Sequence, residues 1–443
     1  MSSRWCTPRG PPSPKSLLFT LVTILSVFFI HQTEGYTTLS DKSITHLVSS
    51  SSYSSSSEDT KTSNHDPDFD PHTGALLSPI LIPRVPGTPG SEKVQRHFID
   101  FFSSELPNWT LEWQNSTSKT PATGDTDVTF SNLIFRRDPP WLSRGTSTTN
   151  QKYDADGEED KEGKKFVKRL TLAAHYDSLY RPEGFIGAID SAAPCAILMA
   201  VARNVDRALS QRWEGIMKKR EEDVDGLEDD ADGDDEEEEG GVQIMFLDGE
   251  EAWVSWTDMD SLYGSRALVA EWEGRKFTGD AVGKRSAGPK TELDAISLFV
   301  LLDLLGAPDP KINSFFKNTH WAYQHLAAAE AKLRKLDLLE STPQQPFLPE
   351  GKKAPQRFTG GYVLDDHVPF LQRGVPVLHV IPLPFPDVWH TMDDDGDHLD
   401  VPTVGDWAKI VSLFVAEWMD VEGFVPGKEE GAKNGGWREK EEL

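Results

Sequence analysis

The sequence predicts an α/β fold in which a mostly parallel β-sheet is covered by helices on both sides. Four nearly continuous apolar runs have the length of strands, and they occupy residues 167–174, 242–248, 296–303 and 375–381. Uninterrupted runs of this kind are typical of strands that are buried on both faces. Helical patterns alternate with them, at residues 190–209, 314–336 and 403–421. This alternation favours a parallel sheet.

Three shorter elements are predicted before the first apolar run. Residues 95–102, QRHFIDFF, have the spacing of an amphipathic helix. Residues 109–113 and 128–135 follow as strands, and the second of them alternates apolar with polar residues and contains β-branched side chains. The later helix at 190–209 begins with Asp-Ser, two residue types that cap helix N-termini.

Composition divides the 443 residues into one globular domain and several polar segments. The domain is predicted to extend over residues 81–425, with disordered insertions at about 144–165 and 219–240. Residues 36–80 contain the run SSSSYSSSS and are predicted to be a disordered Ser-rich linker. Residues 426–443 are charged and Gly-rich, and a flexible tail is expected there.

The formal net charge of −27 restricts the partners that the protein can have. Fourteen of its acids lie in one run at residues 221–239, which contains no basic residue. Such a block repels itself and stays solvated. Nucleic acid is excluded as a partner, because binding to a phosphate backbone needs clustered Lys and Arg.

The N-terminus has the features of a secretory signal. Basic residues precede the apolar stretch SLLFTLVTILSVFFI and small residues follow it, so residues 1–35 are predicted to be a signal peptide or an uncleaved signal anchor. The stretch is shorter than the roughly 20 residues of a membrane span. We expect the protein to be secreted or held in the lumen of the endoplasmic reticulum or Golgi, with an uncleaved anchor as its one contact with a membrane. Sequons at Asn108 and Asn115 predict glycosylation.

Acids and histidines follow the carboxyl ends of the four apolar runs. They are His175, Asp177 and Asp190 after the first run, Glu250 and Glu251 after the second, Asp303 at the end of the third, and His390 after the fourth. Ligands of open α/β sheets bind beyond these strand ends. Since so many acids in one crevice would cost stability without a compensating cation, the pattern predicts a metal site.

The donor types indicate which cation would bind. Imidazole and carboxylates without thiolate suit Zn²⁺ in an open catalytic site, whereas Ca²⁺ is disfavoured because His is a poor ligand for it. The acidic segment 393–400 is interpreted as an exposed turn. Neighbouring side chains on extended backbone diverge. One of Glu250 and Glu251 is therefore expected to ligate the metal and the other to act as general acid/base, and this argument does not decide which.

Several longer motifs resemble those of one family. They are AAHYDS, GAIDSAAPCAILMAVAR, FLDGEEAWVSW, DSLYGSRAL, LLDLLGAPDP and DDHVPFLQRGVPVLHVIPLPFPDVWHTMDDD. Together they resemble the animal-type glutaminyl-peptide cyclotransferases, or glutaminyl cyclases, over residues 95–421 apart from the insertions. The resemblance implies a three-layer α/β/α sandwich with a central mixed, mostly parallel twisted sheet of six strands, similar in fold to the zinc exopeptidases.

The resemblance also implies an activity and roles for particular residues. The family converts N-terminal glutamine, and more slowly glutamate, of peptides and proteins to pyroglutamate, with release of ammonia from glutamine. One zinc ion per chain is expected, and the protein is expected to be a monomer. The implied zinc ligands are Asp190, Glu251 and His390. Glu250 would be the general acid/base, with Asp303 and Asp365 as buried hydrogen-bonded acids. The residues implied in substrate binding are Trp256, Phe385, Trp389 and Leu364.

The sequence departs from the family pattern at two of these motifs. Ala174 stands where secreted relatives carry a cysteine that pairs with the match of Cys195, so the family's disulfide is absent and Cys195 is expected to be a buried free thiol. Leu364 replaces a Gln that acts mainly through its backbone N–H, a contact that a leucine can also make.

Two other functions compete with the cyclotransferase. His175, Asp190, Glu251, Asp303 and His390 also fit the five ligands of a two-zinc aminopeptidase, in which Asp190 would bridge the ions. Trp389 and Trp256 argue against it, because they would crowd the substrate position at the second metal. The other alternative is a non-catalytic secreted acidic glycoprotein, and the intact set of ligands and base argues against that.

Overall fold

The computed structural model describes residues 36–49, 66–142, 166–224, 239–277 and 290–427. In chain order the strands are β1 (Thr110–Lys119), β2 (Asp127–Arg137), β3 (Arg169–His175), β4 (Gly241–Leu247), β5 (Lys276–Phe277), β6 (Lys290–Thr291), β7 (Ile296–Leu302) and β8 (Val377–Val380). All but β5 and β6 belong to a central sheet with the order β1-β2-β4-β3-β7-β8. Strands β1, β2 and β4 pair antiparallel, whereas β4, β3, β7 and β8 pair parallel. The predicted mixed, mostly parallel sheet is confirmed.

Helices cover both faces of this sheet. They are α1 (Asp41–Ser49), α2 (Pro89–Glu105), α3 (Ala193–Val224), α4 (Tyr263–Gly274), α5 (His320–Lys335), α6 (His367–Leu371) and α7 (Val401–Trp418). Successive side chains of a strand point to opposite faces. In β4, Ile244 and Phe246 accordingly pack in the core with α1, α2, α3, α5 and α7, whereas Met245 and Leu247 pack with α4 and α6. The predicted three-layer α/β/α sandwich is confirmed.

The parallel part of the sheet determines where the chemistry can occur. Strands β3, β4, β7 and β8 run in the same direction, so their carboxyl ends lie at one edge. The segments that leave these ends are residues 176–192, 248–262, 303–314 and 381–400. They carry the predicted site residues except Asp365 and Leu364, which directly precede α6.

The prediction of a disordered linker over residues 36–80 is wrong for residues 36–49 and 66–80. Ile44, Leu47 and Val48 lie on one face of α1 and are buried in the main core. The backbone N–H of Leu39 donates to the Glu417 carboxylate over 3.0 Å, which ties the segment to α7. The helical i, i+3, i+4 spacing of these three apolar residues was obscured by the Ser-rich run beside it, which lies outside the described residues.

The predicted helix at 190–209 and the insertion at 219–240 both need correction. Residues Ala188–Ala192 form a π-helical turn in which Asp190 has non-helical angles, and the regular helix α3 begins at Ala193. It continues to Val224, because the stretch KKREE consists of good helix formers. The rest of that insertion up to residue 238, the insertion at 144–165, the N-terminal 35 residues and the tail from residue 428 lie outside the described residues.

Within the part of the chain that the structure describes, one helical segment, Ala188–Glu222, is long and apolar enough to cross a membrane by length and composition. In its most apolar window 94% of the residues are buried inside the fold. Packing against the sheet and α7 accounts for this hydrophobicity, since helices in the core of soluble proteins have the same composition.

Candidate active site and metal centre

Asp190, Glu251 and His390 come together from three separate segments. Their potential ligand atoms all lie within 4.8 Å of one another. His390 Nε2 is 3.4 Å from Asp190 Oδ2 and 3.7 Å from Glu251 Oε2. Glu251 Oε1 is buried and has no hydrogen-bond partner among the described residues. Because a buried carboxylate oxygen without a partner is costly, this arrangement fits a cation, and two carboxylates with one imidazole suit zinc with an open coordination position.

Burial acts to raise the pKa of both carboxyl groups of the triad, but their neighbours shift the two pKa values in opposite directions. Burial raises the pKa of Glu251 well above its usual range, and the negative charge of Asp190 raises it further. Burial also acts to raise the pKa of Asp190, but hydrogen bonds from His175 and His390 outweigh it and hold that pKa below its usual range. Of the two carboxylates, Asp190 is the one that both imidazoles contact.

The turn that carries Asp190 is held from two sides. The guanidinium of Arg84 is fully buried and donates to the carbonyls of Gly187 over 2.8 Å and Asp190 over 3.2 Å. On the other side, Asp394 Oδ1 accepts a hydrogen bond from the Ile189 N–H over 2.7 Å. Gly187 has a φ of +62°, and a Cβ there would lie 2.2 Å from the Asp190 carbonyl, so only glycine fits.

Two of these supporting residues were not predicted. Nothing in the sequence around Arg84 marks it as a partner of a loop more than 100 residues away. Asp394 lies in the segment 393–400 that was interpreted as an exposed acidic turn, and for Asp394 this interpretation is wrong, since it is only 1% exposed. Burial, with repulsion from Asp190, raises the pKa of Asp394 to about 7. A single buried acid among exposed ones gives no signal in a sequence.

The adjacent glutamates diverge, as expected. The carboxylate of Asp177 accepts the N–H of Glu250 on one oxygen and the N–H of Glu251 on the other, each over 3.1 Å. Gly249, with a φ of +72°, permits the turn, because a Cβ there would lie 2.2 Å from the ring of Phe130. The Glu251 side chain joins the triad, while the Glu250 carboxylate makes no hydrogen bond or ion pair among the described residues.

Glu250 has the environment of a general acid/base. Its side chain is 6% exposed, and burial raises its pKa well above the usual range. The negative charges of Asp365 and Glu251 raise this pKa further, and the charge on His175 opposes them. A carboxyl group whose pKa is raised in this way can both accept and return a proton near neutral pH.

Asp303 and Asp365 are two further buried acids of the site, and each is held by hydrogen bonds. Asp303 Oδ1 accepts from the Ser191 hydroxyl and, over 2.8 Å, from the Leu304 N–H. Asp365 Oδ2 lies 2.7 Å from His379 Nε2. Burial raises the pKa of Asp303, and the charge of Asp365 raises it further. Their negative charges repel, so a proton or a donor group between them is stabilising.

His175 lies at the centre of the acids. Its Nε2 is 3.0 Å from Asp190 and 3.4 Å from Asp303, and its Nδ1 is 3.3 Å from Asp177. Burial opposes the charged form, but these carboxylates raise the pKa of His175 well above its usual range. A second group of potential ligand atoms, those of His175, Asp190 and Asp303, also lies within 4.8 Å of one another. The five ligands of the two-zinc alternative therefore do come together.

An aromatic wall stands over the metal triad. The Trp389 ring stacks on His390 with centroids 3.9 Å apart, and Phe385 packs on Trp389 with centroids 4.6 Å apart. Trp256 and Leu364 are 39% and 51% exposed, which is consistent with positions at the rim of a pocket. None of the four predicted substrate-binding residues is fully buried: Phe385 and Trp389 are half-buried, and Trp256 and Leu364 are exposed.

The remaining predicted residues are not part of the metal triad. The side chains of Asn108 and Asn115 are exposed, the first just before β1 and the second within that edge strand. Cys195 is buried as a free thiol, and its Sγ donates to the His175 carbonyl over 3.2 Å. Burial raises the pKa of this thiol to about 12.

The fold and the donor set define a protein of the zinc-exopeptidase class. A family model described as Peptidase family M28 matches residues 159–415, more than half of the chain. This match includes all three residues of the metal triad and Glu250.

Relatives with similar sequences narrow the class further. The chain is 36% identical to the glutaminyl-peptide cyclotransferase-like protein of Bos taurus over 356 residues, which covers 79% of this chain and 76% of the relative. It is 33% identical to the glutaminyl-peptide cyclotransferase of Drosophila melanogaster over 352 residues, covering 79% and 80%. The crystal structure of a Macrostomum lignano glutaminyl cyclase is similar with a TM-score of 0.56 and 27% identity, over 83% of this chain and 96% of that one. This protein belongs to the glutaminyl-peptide cyclotransferase family.

Proposed function

We propose that this protein is a glutaminyl-peptide cyclotransferase that closes N-terminal glutamine of peptides and proteins to pyroglutamate and releases ammonia. The observation that carries the proposal is the buried, unpaired carboxylate of Glu250 directly beside a complete set of metal ligands. Cyclisation needs a group that takes a proton from the α-amine and returns it to the leaving amide nitrogen, and it needs no activated water.

The reaction forms one C–N bond and breaks another. The α-amine attacks the carbonyl carbon of the γ-carboxamide, Glu250 accepts the proton that the amine loses, and the same carboxyl group delivers it to the departing nitrogen, which leaves as ammonia. Asp303 accepts a hydrogen bond from the amide nitrogen and orients it. Trp256, Phe385, Trp389 and Leu364 enclose the short side chain and exclude water, which favours cyclisation over hydrolysis.

A zinc ion held by Asp190, Glu251 and His390 would supply Lewis-acid polarisation of the γ-carboxamide. The hydrogen-bond partners of the two groups of potential ligands support one ion per chain. In this triad an oxygen of Glu251 has no partner, whereas His175 and Asp303 are engaged with one another and with Asp177 and Ser191. A second ion would have to replace those contacts.

Two products distinguish this proposal from the aminopeptidase alternative. A peptide with N-terminal Gln should yield one ammonia and a product that resists Edman degradation, because its α-amine is no longer free. Elemental analysis should give one zinc per protein chain. A matched peptide with N-terminal Leu should remain intact. Release of free leucine together with two zinc ions per chain would favour the aminopeptidase, and turnover of neither peptide by the zinc-loaded protein would favour the non-catalytic glycoprotein.

We further propose a monomer in the secretory pathway, either secreted or retained in the endoplasmic reticulum or Golgi lumen, that does not bind nucleic acid. The exposure of Asn108 and Asn115 supports glycosylation at both sequons, and the net charge of −27 supports the absence of nucleic-acid binding. For the protein from a eukaryotic host, N-terminal sequencing tests signal cleavage, and the mass lost on glycosidase treatment tests glycosylation.

A further inference from the structure

A groove of about 300 Å³ opens beside the rim of the proposed active site. We call it the Arg266 groove and define it by six of its lining residues, Trp256, Asp258, Arg266, Leu364, Gln372 and Arg373. It lies between the loop that follows Glu251 and the beginning and end of helix α6. None of the roles proposed above uses its charged residues.

The groove is continuous with the catalytic residues through two walls. Leu262, which also lines the groove, donates its N–H to the Glu250 carbonyl over 2.9 Å. Leu364 directly precedes Asp365 in the chain. Trp256 belongs both to the groove and to the proposed rim of the glutamine pocket. A peptide whose first side chain enters that pocket would therefore have its next residues beside the groove.

The loop that forms one wall is held in place. Asp260 is 3% exposed and accepts the N–H groups of Trp253, Val254 and Ser255, each over 2.9 Å. Its Oδ1 also accepts the Tyr263 hydroxyl over 2.8 Å. These bonds fix the backbone directly before Trp256, so the groove is formed before any peptide binds, and binding needs little ordering of the protein.

The groove contains a cation that no acid neutralises. Among the residues that the structure describes, no carboxylate lies within 4 Å of the Arg266 guanidinium. Its Nε donates to the carbonyls of Ser261 and Leu262 over 3.1 and 3.3 Å, and its Nη2 lies 3.4 Å from the Met259 carbonyl. The guanidinium lies over the Tyr263 ring, 5.3 Å from its centroid. These contacts fix the position of the charge and leave Nη1 free to donate.

The other charges of the groove are more weakly placed. Arg373 contacts Glu273 over 3.3 Å, and both side chains are partly exposed, so its charge is only partly compensated. Asp258 is exposed at the outer wall. The groove therefore has a positive centre in a protein whose net charge is −27, and this local excess distinguishes it from the surface as a whole.

We propose that the Arg266 groove binds the second residue of the peptide substrate and selects a carboxylate side chain there. Arg266 would donate a charge-assisted hydrogen bond to that carboxylate, while Leu364 and Trp256 contact its methylene groups. This proposal rests on the proposed function, because it assumes that a glutamine occupies the neighbouring pocket.

The test uses three C-terminally amidated peptides that differ only at the second residue, Gln-Glu, Gln-Gln and Gln-Lys. For the wild type, kcat/KM should decrease in the order Glu, Gln, Lys. In Arg266→Gln the ratio between the Glu and Gln peptides should fall about three- to five-fold, through KM, as expected for a partly exposed ion pair. The wild-type ratio should fall as salt is added. Arg266→Lys, which retains a positive charge, should keep much of the wild-type preference for the Glu peptide.

Arg207→Gln on helix α3 is the control, because it removes an exposed arginine and no groove residue lies on that helix. It should leave the ratio unchanged. An unchanged ratio in Arg266→Gln, with normal zinc content, would overturn the proposal. So would a preference that appears only with a free C-terminal carboxylate. Failure of the wild type to turn over any of the three peptides would instead refute the proposed function.

Discussion

The two adjacent glutamates provide the sharpest test of the site, because the same conservative substitution should have different effects at the two positions. Glu251→Gln removes a charge whose carboxylate lies 3.7 Å from His390 and belongs to the metal triad. Glu250→Gln removes a carboxylate that has no partner among the described residues. Both substitutions preserve side-chain volume, so neither should create a cavity.

The expected magnitudes follow from these positions. Loss of a residue that merely supports a metal ligand costs about 10- to 100-fold in metal affinity, so loss of the Glu251 ligand itself should cost more than about 100-fold. Glu250→Gln should retain zinc affinity within about three-fold, while kcat falls about 10²- to 10⁴-fold through loss of general acid/base catalysis. The metal-free form of Glu251→Gln should be no less stable than the wild type, since it loses a buried charge with an unpartnered oxygen.

The assay combines competition with a zinc chelator, ammonia release from a Gln-initiated peptide, and thermal unfolding of the metal-free proteins. The reasoning is refuted if the two variants lose zinc equally, or if Glu250→Gln turns over peptide at the wild-type rate. Assignment of the opposite roles would follow if Glu250→Gln alone lost zinc.

Three further predictions concern the parts that support the site. Arg84→Met should reduce the free energy of unfolding by about 3–5 kcal/mol, because it leaves buried carbonyls of the Asp190 turn without donors. It should also weaken zinc retention. An unchanged free energy of unfolding in urea titration, with unchanged zinc affinity in chelator competition, would contradict this role. Ile44→Ala should cost about 2–5 kcal/mol, as for a fully buried aliphatic side chain, and a cost near zero in the same titration would mean that α1 does not pack on the core in solution. Cys195 should resist alkylation in the native protein and react after unfolding, as mapped by peptide mass spectrometry, whereas rapid native labelling would show that this thiol is accessible.

The sheet and a metal site at its carboxyl edge were predictable because their sequence signals are local. The runs at 242–248 and 296–303 are apolar over their whole length, and β4 and β7 are buried throughout apart from partial exposure at Ser297. Parallel strands bring their carboxyl ends to one edge, so acids that follow different strands meet there even though they are distant in sequence. The choice between Glu250 and Glu251 came from the family resemblance.

The supports of the site could not be predicted, because they depend on contacts between distant segments. Arg84 contacts the turn at 186–190, and Asp394 contacts the same turn from the far end of the chain. Helix α1 was missed for a related reason, since its short apolar pattern gains stability only from tertiary contacts, with α3 and α7. Short helices are marginal without such tertiary contacts.

The shared attachment of Glu250 and Glu251 to one Asp177 carboxylate couples two properties that are usually tuned separately. A movement of the peptide units at this turn displaces the proton-transferring group and the metal ligand together. An inhibitor that pushes Glu250 aside would consequently also disturb coordination, and a substitution at Asp177 would impair metal retention and proton transfer at once. During evolution towards a different reaction, substitutions should therefore accumulate first in the surrounding pocket. Substitutions in the turn itself should be rare, because each would affect metal retention and proton transfer together.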